Sequence, residues 1–349
     1  MKILFTGNYE AAYNRNLIIL EGLQELGAEV TERPANSKKE FIQKNILKEA
    51  EDADIIYLPA FTHAWVRFLK KKLPQKPIIF DPLISKYMTK VFDYKNVSRF
   101  SPRAIKNYYK DKIAFSHADI LIADTIAHKD YFAKKFRISP GKIKVLPIGV
   151  STRHFYPAES QRTNDKIKVG FYGSFAPLQG IEKIIDTAFL MKDRENVRFH
   201  IIGSGYDFKK VEAQLNEYQL SNVEFEGWLD YSELNERIND YDICLGIFGE
   251  TPKTGMVVPN KIFHYMACRK AVVTKDTPAM RELFRDGENI QLSSTDARDI
   301  KDKILFLINQ KEQRDFIARN AHELIRTHYT QKHIAKKLLQ IMYKHLKSY

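Results

Sequence analysis

The sequence predicts an α/β protein made of two parallel sheets, each covered by helices on both faces. Three observations carry this. Short apolar runs bounded by Gly, Pro or Asp alternate with helical stretches along the whole chain, the pattern of buried parallel strands joined by crossover helices. The chain has 349 residues, more than one ordinary core holds at roughly 100–200 residues per domain. The pattern Lys-x-x-Phe-x-Gly opens the chain as Lys2-Ile3-Leu4-Phe5-Thr6-Gly7 and recurs as Lys168-Val169-Gly170-Phe171-Tyr172-Gly173.

Lys2–Thr6 reads as the first strand. Residues 11–26 follow as a helix with Leu17, Leu20, Leu23 and Leu26 at three-residue spacing, stopped by Gly27. Ala28–Glu32, Asp54–Leu58, Pro77–Phe80, Ile120–Ala123 and Lys144–Pro147 are further strands, with helices such as His128–Phe136 between them. The second half starts the pattern again. Its strands are Lys168–Tyr172, Val197–Ile202, Val223–Glu226, Ile243–Phe248, Ala271–Thr274 and Asn289–Leu292. Its helices are Ile181–Met191, Asp207–Tyr218, Tyr231–Asn239, Pro259–Cys268 and Ala279–Phe284, with a helical tail from about Ala297. Ala53-Asp54-Ile55-Ile56 is echoed by Tyr241-Asp242-Ile243-Cys244. The halves fit two Rossmann-like units in tandem, 1–157 and 166–325. The polar stretch Pro157–Asp165, which has no apolar period, is the expected linker.

Hydrophobic residues are 44% and charged residues 28%, values of an ordinary soluble globular chain, which sets aside collagenous, mucin-like and disordered classes. No apolar run approaches the roughly 20 residues that span a bilayer, and the start lacks the pattern of a signal peptide. Cys244 and Cys268 have neither metal nor disulfide spacing, and read as reduced, buried thiols of a cytosolic protein. The net charge is +13, and the first 165 residues carry 28 basic against 18 acidic side chains. A basic surface attracts polyanions, anionic headgroups or phosphorylated substrates, or serves solubility alone. No compact Lys/Arg-rich nucleic-acid motif is present. The tail lysines Lys332, Lys336, Lys337, Lys344 and Lys347 read first as one solvated helix face.

Three glycine-bearing loops follow strands where such units bind phosphates on loop and helix N–H groups. They are Gly7-Asn8, the run Gly173-Ser174-Phe175-Ala176-Pro177-Leu178-Gln179-Gly180, and Gly203-Ser204-Gly205. Each alone is equally a tight turn. The stretch Gly246–Cys268 is the most informative. A strand enters a loop holding Glu250 and Lys253, and a helix starts at Pro259, proline being pre-organised for that position. Lys261 in the first turn opposes the helix dipole, so it either has an anionic partner or faces solvent. His264, three residues on, shares its face and is as readily structural as functional.

With these segments in order, the chain resembles the retaining glycosyltransferases of family 4, which have the GT-B fold, over essentially its whole length. Pro147–Pro157 looks like the family's interdomain segment, Phe171–Gly180 like its phosphate loop, and Ile201–Gly205 like its Gly-x-Gly turn. Val223–Leu229, which holds Trp228, is similar to the strand and turn that line the nucleotide base. Pro259–Thr274 is similar to the helix and strand that usually read Glu-Ala-Met-Ala-x-Gly-x-Pro-Val-Val. The resemblance implies two Rossmann-like, doubly wound domains facing a central cleft. The donor lies mainly on the C-terminal domain and the acceptor on the N-terminal one, and a last helix, within 326–349, crosses back to the first domain. It also implies metal-independent transfer with retention, no cofactor beyond the nucleoside diphosphate sugar, and positive charge on the leaving diphosphate.

The sequence departs from the family where charge matters. Ser174 and Gln179 stand where many members place Arg and Lys. Met256 and His264 stand where many have two glutamates. Either the chain is a non-catalytic nucleotide-sugar binder or partner subunit, or it supplies charge differently. The second reading is preferred: Asn260-Lys261 opening the helix resembles a bacterial branch of the family. It puts Glu250 on the sugar and Lys261 and Lys253 on the diphosphate, with Gly7, Asn8, Gly173, Ser174, Phe175, Gln179, Gly180, Gly203, Trp228, Asn260 and His264 around the donor. Asp81, after the strand Ile78-Ile79-Phe80, either orients the acceptor hydroxyl or caps the turn before Pro82. His63 either touches acceptor or packs. The aromatic and basic stretch Tyr87–Lys112 either lies on an anionic membrane or covers the sheet as ordinary helices. The expected activity is transfer of a sugar from a nucleoside diphosphate donor to a glycan or lipid-linked saccharide of a bacterial surface polymer. It would take place in the cytoplasm or peripherally on the inner membrane face. An epimerase or hydrolase of the same fold is a further alternative.

Overall fold

The computed structural model describes residues 1–160 and 166–347. The chain divides into two compact units, one of Met1–Gly149 with the end of the chain from Tyr329, the other of Val150–His328. In the first unit β1 (Lys2–Gly7), β2 (Glu29–Pro34), β3 (Ile55–Leu58), β4 (Ile78–Phe80), β5 (Ile120–Ala123) and β6 (Ile143–Val145) form one sheet. The order is β2-β1-β3-β4-β5-β6, parallel throughout, with Leu4 opposite Ile56 and Tyr57 opposite Ile79. The connecting helices are α1 (Asn14–Glu25), α2 (Lys38–Gln43), α3 (Ile46–Asp52), α4 (His63–Lys72), α5 (Lys86–Met88), α6 (Pro102–His117) and α7 (Ile126–Phe136). Every residue of β3, β4 and β5 is buried. That is why these strands read as unbroken apolar runs rather than alternating ones. Helix starts are set by side chains: Ser101 accepts from the Ala104 N–H at α6, and Thr125 from the His128 N–H at α7.

The α1 stripe differs from the leucine spacing. The buried residues are Asn14, Arg15, Asn16, Ile18, Ile19, Gly22 and Leu23, while Leu17, Leu20 and Leu26 are half-buried. A three-residue step drifts around a helix of 3.6 residues per turn, so the four leucines do not share one face.

The second unit holds β7 (Ile167–Tyr172), β8 (Val197–Ile202), β9 (Val223–Glu226), β10 (Ile243–Leu245), β11 (Ala271–Lys275) and β12 (Gln291–Ser293). They form a second six-stranded sheet, ordered β12-β11-β10-β7-β8-β9. Its helices are α8 (Ile181–Phe189), α9 (Phe208–Tyr218), α10 (Leu234–Asn239), α11 (Asn260–Ala267), α12 (Pro278–Leu283), α13 (Ala297–Asn309) and α14 (Lys311–His328). Read from β9, this is the 3-2-1-4-5-6 order of dinucleotide-binding sheets, while the first sheet has the 2-1-3 start of flavodoxin-like ones. The order reverses at β1/β3 in one sheet and at β7/β10 in the other, and ligands of such sheets bind beyond the strand ends at those points. The strand expected at Ile243–Phe248 ends at Leu245. Gly246 and Ile247 keep bonds to β11, and beyond them the Phe248 and Gly249 N–H groups donate to the Gln179 and Leu178 carbonyls. The last strand sits two residues later than expected, since Asn289 caps the turn at Arg285.

The units divide at Gly149, before the expected linker Pro157–Asp165, of which residues 161–165 lie outside the described residues. The segment after Gly149 packs on α10: the Tyr156 and Ala158 N–H groups donate to Asn235 and Asn239 at 3.0 and 2.9 Å. The final helix, α15 (Gln331–Leu346), packs in the first unit against α1. Gly22 permits the approach, since a Cβ there would lie 2.1 Å from the Gln331 carbonyl oxygen. Gln331, Ile334, Ala335, Leu338 and Met342 are buried, and the five tail lysines are exposed, the solvated face of that helix. Among the described residues no helix is long and apolar enough to cross a membrane. Cys244 and Cys268 are buried and unpaired with each other.

Candidate active site

In the second unit the phosphate-type loop and α11 meet at the switch point. Gly173 follows β7 at φ +154°, and a Cβ there would lie 2.7 Å from Nζ of Lys261. Gly180 turns the loop into α8 at φ +62°, where a Cβ would lie 2.5 Å from the Gly249 nitrogen; no other residue fits either place without displacement. Lys261 is 3% exposed. Its Nζ donates to Gln179 Oε1 at 2.6 Å and lies 3.6 Å from the Phe171 ring centroid. No carboxylate pairs with it among the described residues. Burial alone pushes its pKa well below that of an ordinary lysine. An amide oxygen and a ring face are weak compensation for a buried ammonium.

The rest of α11 is fixed by aromatic contacts. His264 is 2% exposed and stacks on Phe155 at 3.7 Å. Burial pushes its pKa down to about 3, so the neutral ring accepts at Nδ1 from the Tyr172 hydroxyl at 2.5 Å. The Tyr172 N–H donates to the Tyr265 hydroxyl at 3.0 Å. His264 is therefore a wall of the cluster and not a charge. Phe175 is fully buried against Phe208 and Phe225, so its backbone, not its ring, belongs to the loop surface. Ser174 is exposed, Gly203 buried, and Lys253 and Asn260 half-buried. Glu250 is exposed, accepts from the Thr295 hydroxyl at 2.9 Å and lies 4.0 Å from Lys183. Trp228 stands out of the surface after β9, 70% exposed.

Gly7, Asn8, His63 and Asp81 lie in the first unit. Gly7 approaches Thr62, whose Cγ2 would lie 2.7 Å from a Cβ on it, and Asn8 is exposed. Asp81, 2% exposed, accepts at Oδ2 from Arg15 Nε at 2.8 Å and from the Tyr57 hydroxyl at 2.7 Å. Arg15 also donates to the Pro147 and Leu146 carbonyls, at 2.6 and 3.1 Å. Asp81 thus closes a buried ion pair that ties the ends of β4 and β6 to α1. The burial of Arg15 was not read from the sequence because the leucine spacing placed another face of α1 inward; Arg15 is in step with Ile18, Ile19 and Gly22, and that period was the available signal. His63 is 4% exposed and packs edge-on to Phe80 at 5.0 Å. Among the described residues no group of three or more His, Cys, Asp and Glu side chains is placed to hold a metal ion.

Two doubly wound parallel sheets, the second with a glycine loop closed against a buried lysine at its switch point, are the architecture of GT-B transferases, and comparison with known proteins agrees. Residues 182–340 match the family model described as glycosyl transferase-like. An uncharacterised glycosyltransferase of Methanocaldococcus jannaschii is 25% identical over 293 residues, 81% of this chain and 71% of that protein. Among solved structures, HepE of Anabaena with UDP-glucose superposes at a TM-score of 0.73 with 16% identity, covering 99% of this chain and 100% of its own. Sucrose-phosphate synthase of Thermosynechococcus elongatus does so at 0.77 with 15% identity, covering 100% of both chains. The chain is a glycosyltransferase with the GT-B fold, and its second half is similar to the glycosyl transferase-like family.

Proposed function

We propose that this chain transfers a sugar, with retention and without a metal, from a UDP-linked donor to a glycan or lipid-linked saccharide acceptor in bacterial surface-polymer synthesis. It would work from the cytoplasm, peripherally on the inner membrane face. The observation that carries the reading is Lys261, a buried side chain with no carboxylate partner among the described residues, set against the glycine that follows β7. As the glycosidic bond breaks, negative charge grows on the leaving diphosphate, and a pre-placed cation with loop N–H donors stabilises that charge. Gln179 positions Nζ, and Lys253 and Asn260 extend the same surface. Trp228 offers a face for the base. Glu250 is assigned to the sugar, and Asp81 acts as a positioning residue through Arg15. HepE, in its complex with UDP-glucose, motivates the choice of UDP.

The test is calorimetric titration with UDP, GDP, ADP, CMP and dTDP, followed by release of nucleotide from the matching sugar donor. Saturable binding of UDP with slow donor turnover is expected. Failure of every nucleotide to bind would overturn the assignment of the β7/β10 site.

A further inference from the structure

The first unit has a cavity of about 450 Å³ away from its switch-point ion pair, lined by Lys38, His63, Arg67, Lys71, Lys86 and Lys110, with Ala64, Phe68 and Ile113 as apolar wall. We infer that this cavity is a binding site for a phosphate ester or diphosphate. Five cations converge on a volume fit for a small molecule. Among the described residues none of the five forms an ion pair, so their charge is not spent inside the protein. Lys86 shows part of that crowding: burial pushes its pKa down, Asp111 offsets some of this, and Lys110 and Lys90 add repulsion. A polyvalent anion relieves such crowding where a single carboxylate would not, and lysine heads serve phosphate as point charges. A smaller cavity of about 290 Å³ shares Lys110 and adds Lys90, Arg103 and Lys106, extending the positive field in one direction.

The floor of the cavity is the second observation. His63 is buried, and among the described residues neither ring nitrogen makes a well-formed hydrogen bond. Its Nε2 faces Asp111 Oδ1 at 3.5 Å, too far for a hydrogen bond, and that oxygen is unsatisfied as well. Asp111 is fixed at its other oxygen by the Ser85 hydroxyl and the Tyr87 N–H, at 2.7 and 2.8 Å. Buried polar groups left unmade are costly. His63 lines the cavity at the first residue of α4, the positive end of that helix. The apolar wall of Phe68 and Ile113 suits the organic part of an ester. As the handle for an acceptor's phosphate the cavity rests on the transferase reading; as an anion site it stands without it.

Inorganic pyrophosphate is the probe, titrated calorimetrically at constant ionic strength into the full chain, the double variant Lys71→Gln/Lys110→Gln, the single variant Arg67→Gln, and Lys261→Gln. Both lysines of the double variant are exposed, so it keeps its fold, checked by its unliganded Tm. The expected result is pyrophosphate binding that falls roughly tenfold or more in the double variant and survives in Lys261→Gln, while UDP binding survives in the double variant. Pyrophosphate binding that vanishes only in Lys261→Gln, or is absent from the unaltered chain, overturns the inference but not the donor assignment. A sedimentation arm separates two sources of the anion. Binding to phosphatidylcholine vesicles containing phosphatidic acid, displaced by pyrophosphate, supports a lipid-borne phosphate. Pyrophosphate binding without vesicle binding supports a soluble ester. Vesicle binding that neither pyrophosphate nor the double variant weakens overturns the assignment of this cavity.

Discussion

Each unit buries a cation beside the carboxyl ends of its strands, and among the described residues only one of the two has a counter-charge. Arg15 in the first unit meets Asp81 at 2.8 Å, and two carbonyls take its other N–H groups. Lys261 in the second has an amide oxygen and a phenyl face. Both are almost wholly out of water, at 1% and 3% exposed. The sheets are of the same kind, so the difference lies in what was placed beside the cation. A neutralised buried charge fixes geometry. An unneutralised one raises the energy of the empty site and lowers it again when an anion arrives, which is what a charged leaving group requires.

The comparison breaks first at Asp81. Asp81→Ala leaves Arg15 buried without a carboxylate and costs about 3–5 kcal/mol, read as a lower urea midpoint, while Arg15→Met with Asp81→Leu recovers most of it. Unchanged stability with lost transfer would instead put Asp81 in the chemistry. Lys261 is expected to behave in the opposite sense. Lys261→Gln lowers kcat by on the order of a hundredfold or more, and Lys261→Met raises the unfolding free energy by on the order of 1 kcal/mol, read as a higher urea midpoint, because a costly buried ammonium is gone. Loss of stability in Lys261→Met would mean that the lysine is structural, like Arg15.

The two halves were legible in the sequence to different depths. Strand runs such as Ile120–Ala123 and Val197–Ile202 are found where the apolar pattern puts them, because burial on both faces leaves an unbroken apolar signature. The α/β class and the GT-B resemblance followed from that order. Side-chain pairing was not legible. Lys261 and Gln179 are 82 residues apart, and nothing local says that one Nζ crosses to the other's loop. Asp81 and Arg15, 66 apart, could not be joined while α1 was phased on its leucines. Phe248 shows a third limit. Its run reads as strand, but beyond the end of β10 its N–H donates to a loop carbonyl.

The buried histidines sharpen the contrast through pH. His264 has its pKa pushed down to about 3 by burial, with His154 adding repulsion. A base that protonates later when folded binds fewer protons than the unfolded chain. The stability is whole above about pH 6.5 and falls as pH drops toward 3, by roughly 2 kcal/mol at pH 5. In the first unit burial likewise holds His63 near 3 but pushes Asp111 up to about 6. A raised carboxyl has the opposite sign: its stabilisation is whole below the ordinary carboxyl value and is lost as pH rises through about 6. Between pH 7 and 5 the pair largely cancels, so hydrogen exchange should show the second unit loosening first, and His264→Asn should flatten that response. Equal acid sensitivity in both units would remove this contrast.

The smallest effect lies at the surface. Tyr57, beside the Arg15 pair, is fully buried, whereas Trp228 after β9 is 70% exposed, and an indole left in water contributes little to folding. Stacked on a base it contributes on the order of 1 kcal/mol. Trp228→Ala should therefore weaken UDP binding by roughly tenfold or less, leave the urea midpoint unchanged, and be rescued by Trp228→Phe, all readable in one set of titrations. UDP affinity that ignores Trp228→Ala but falls in Lys261→Gln would place the base elsewhere while keeping the diphosphate on α11. A ligand spanning both residues predicts that each change alone weakens UDP binding.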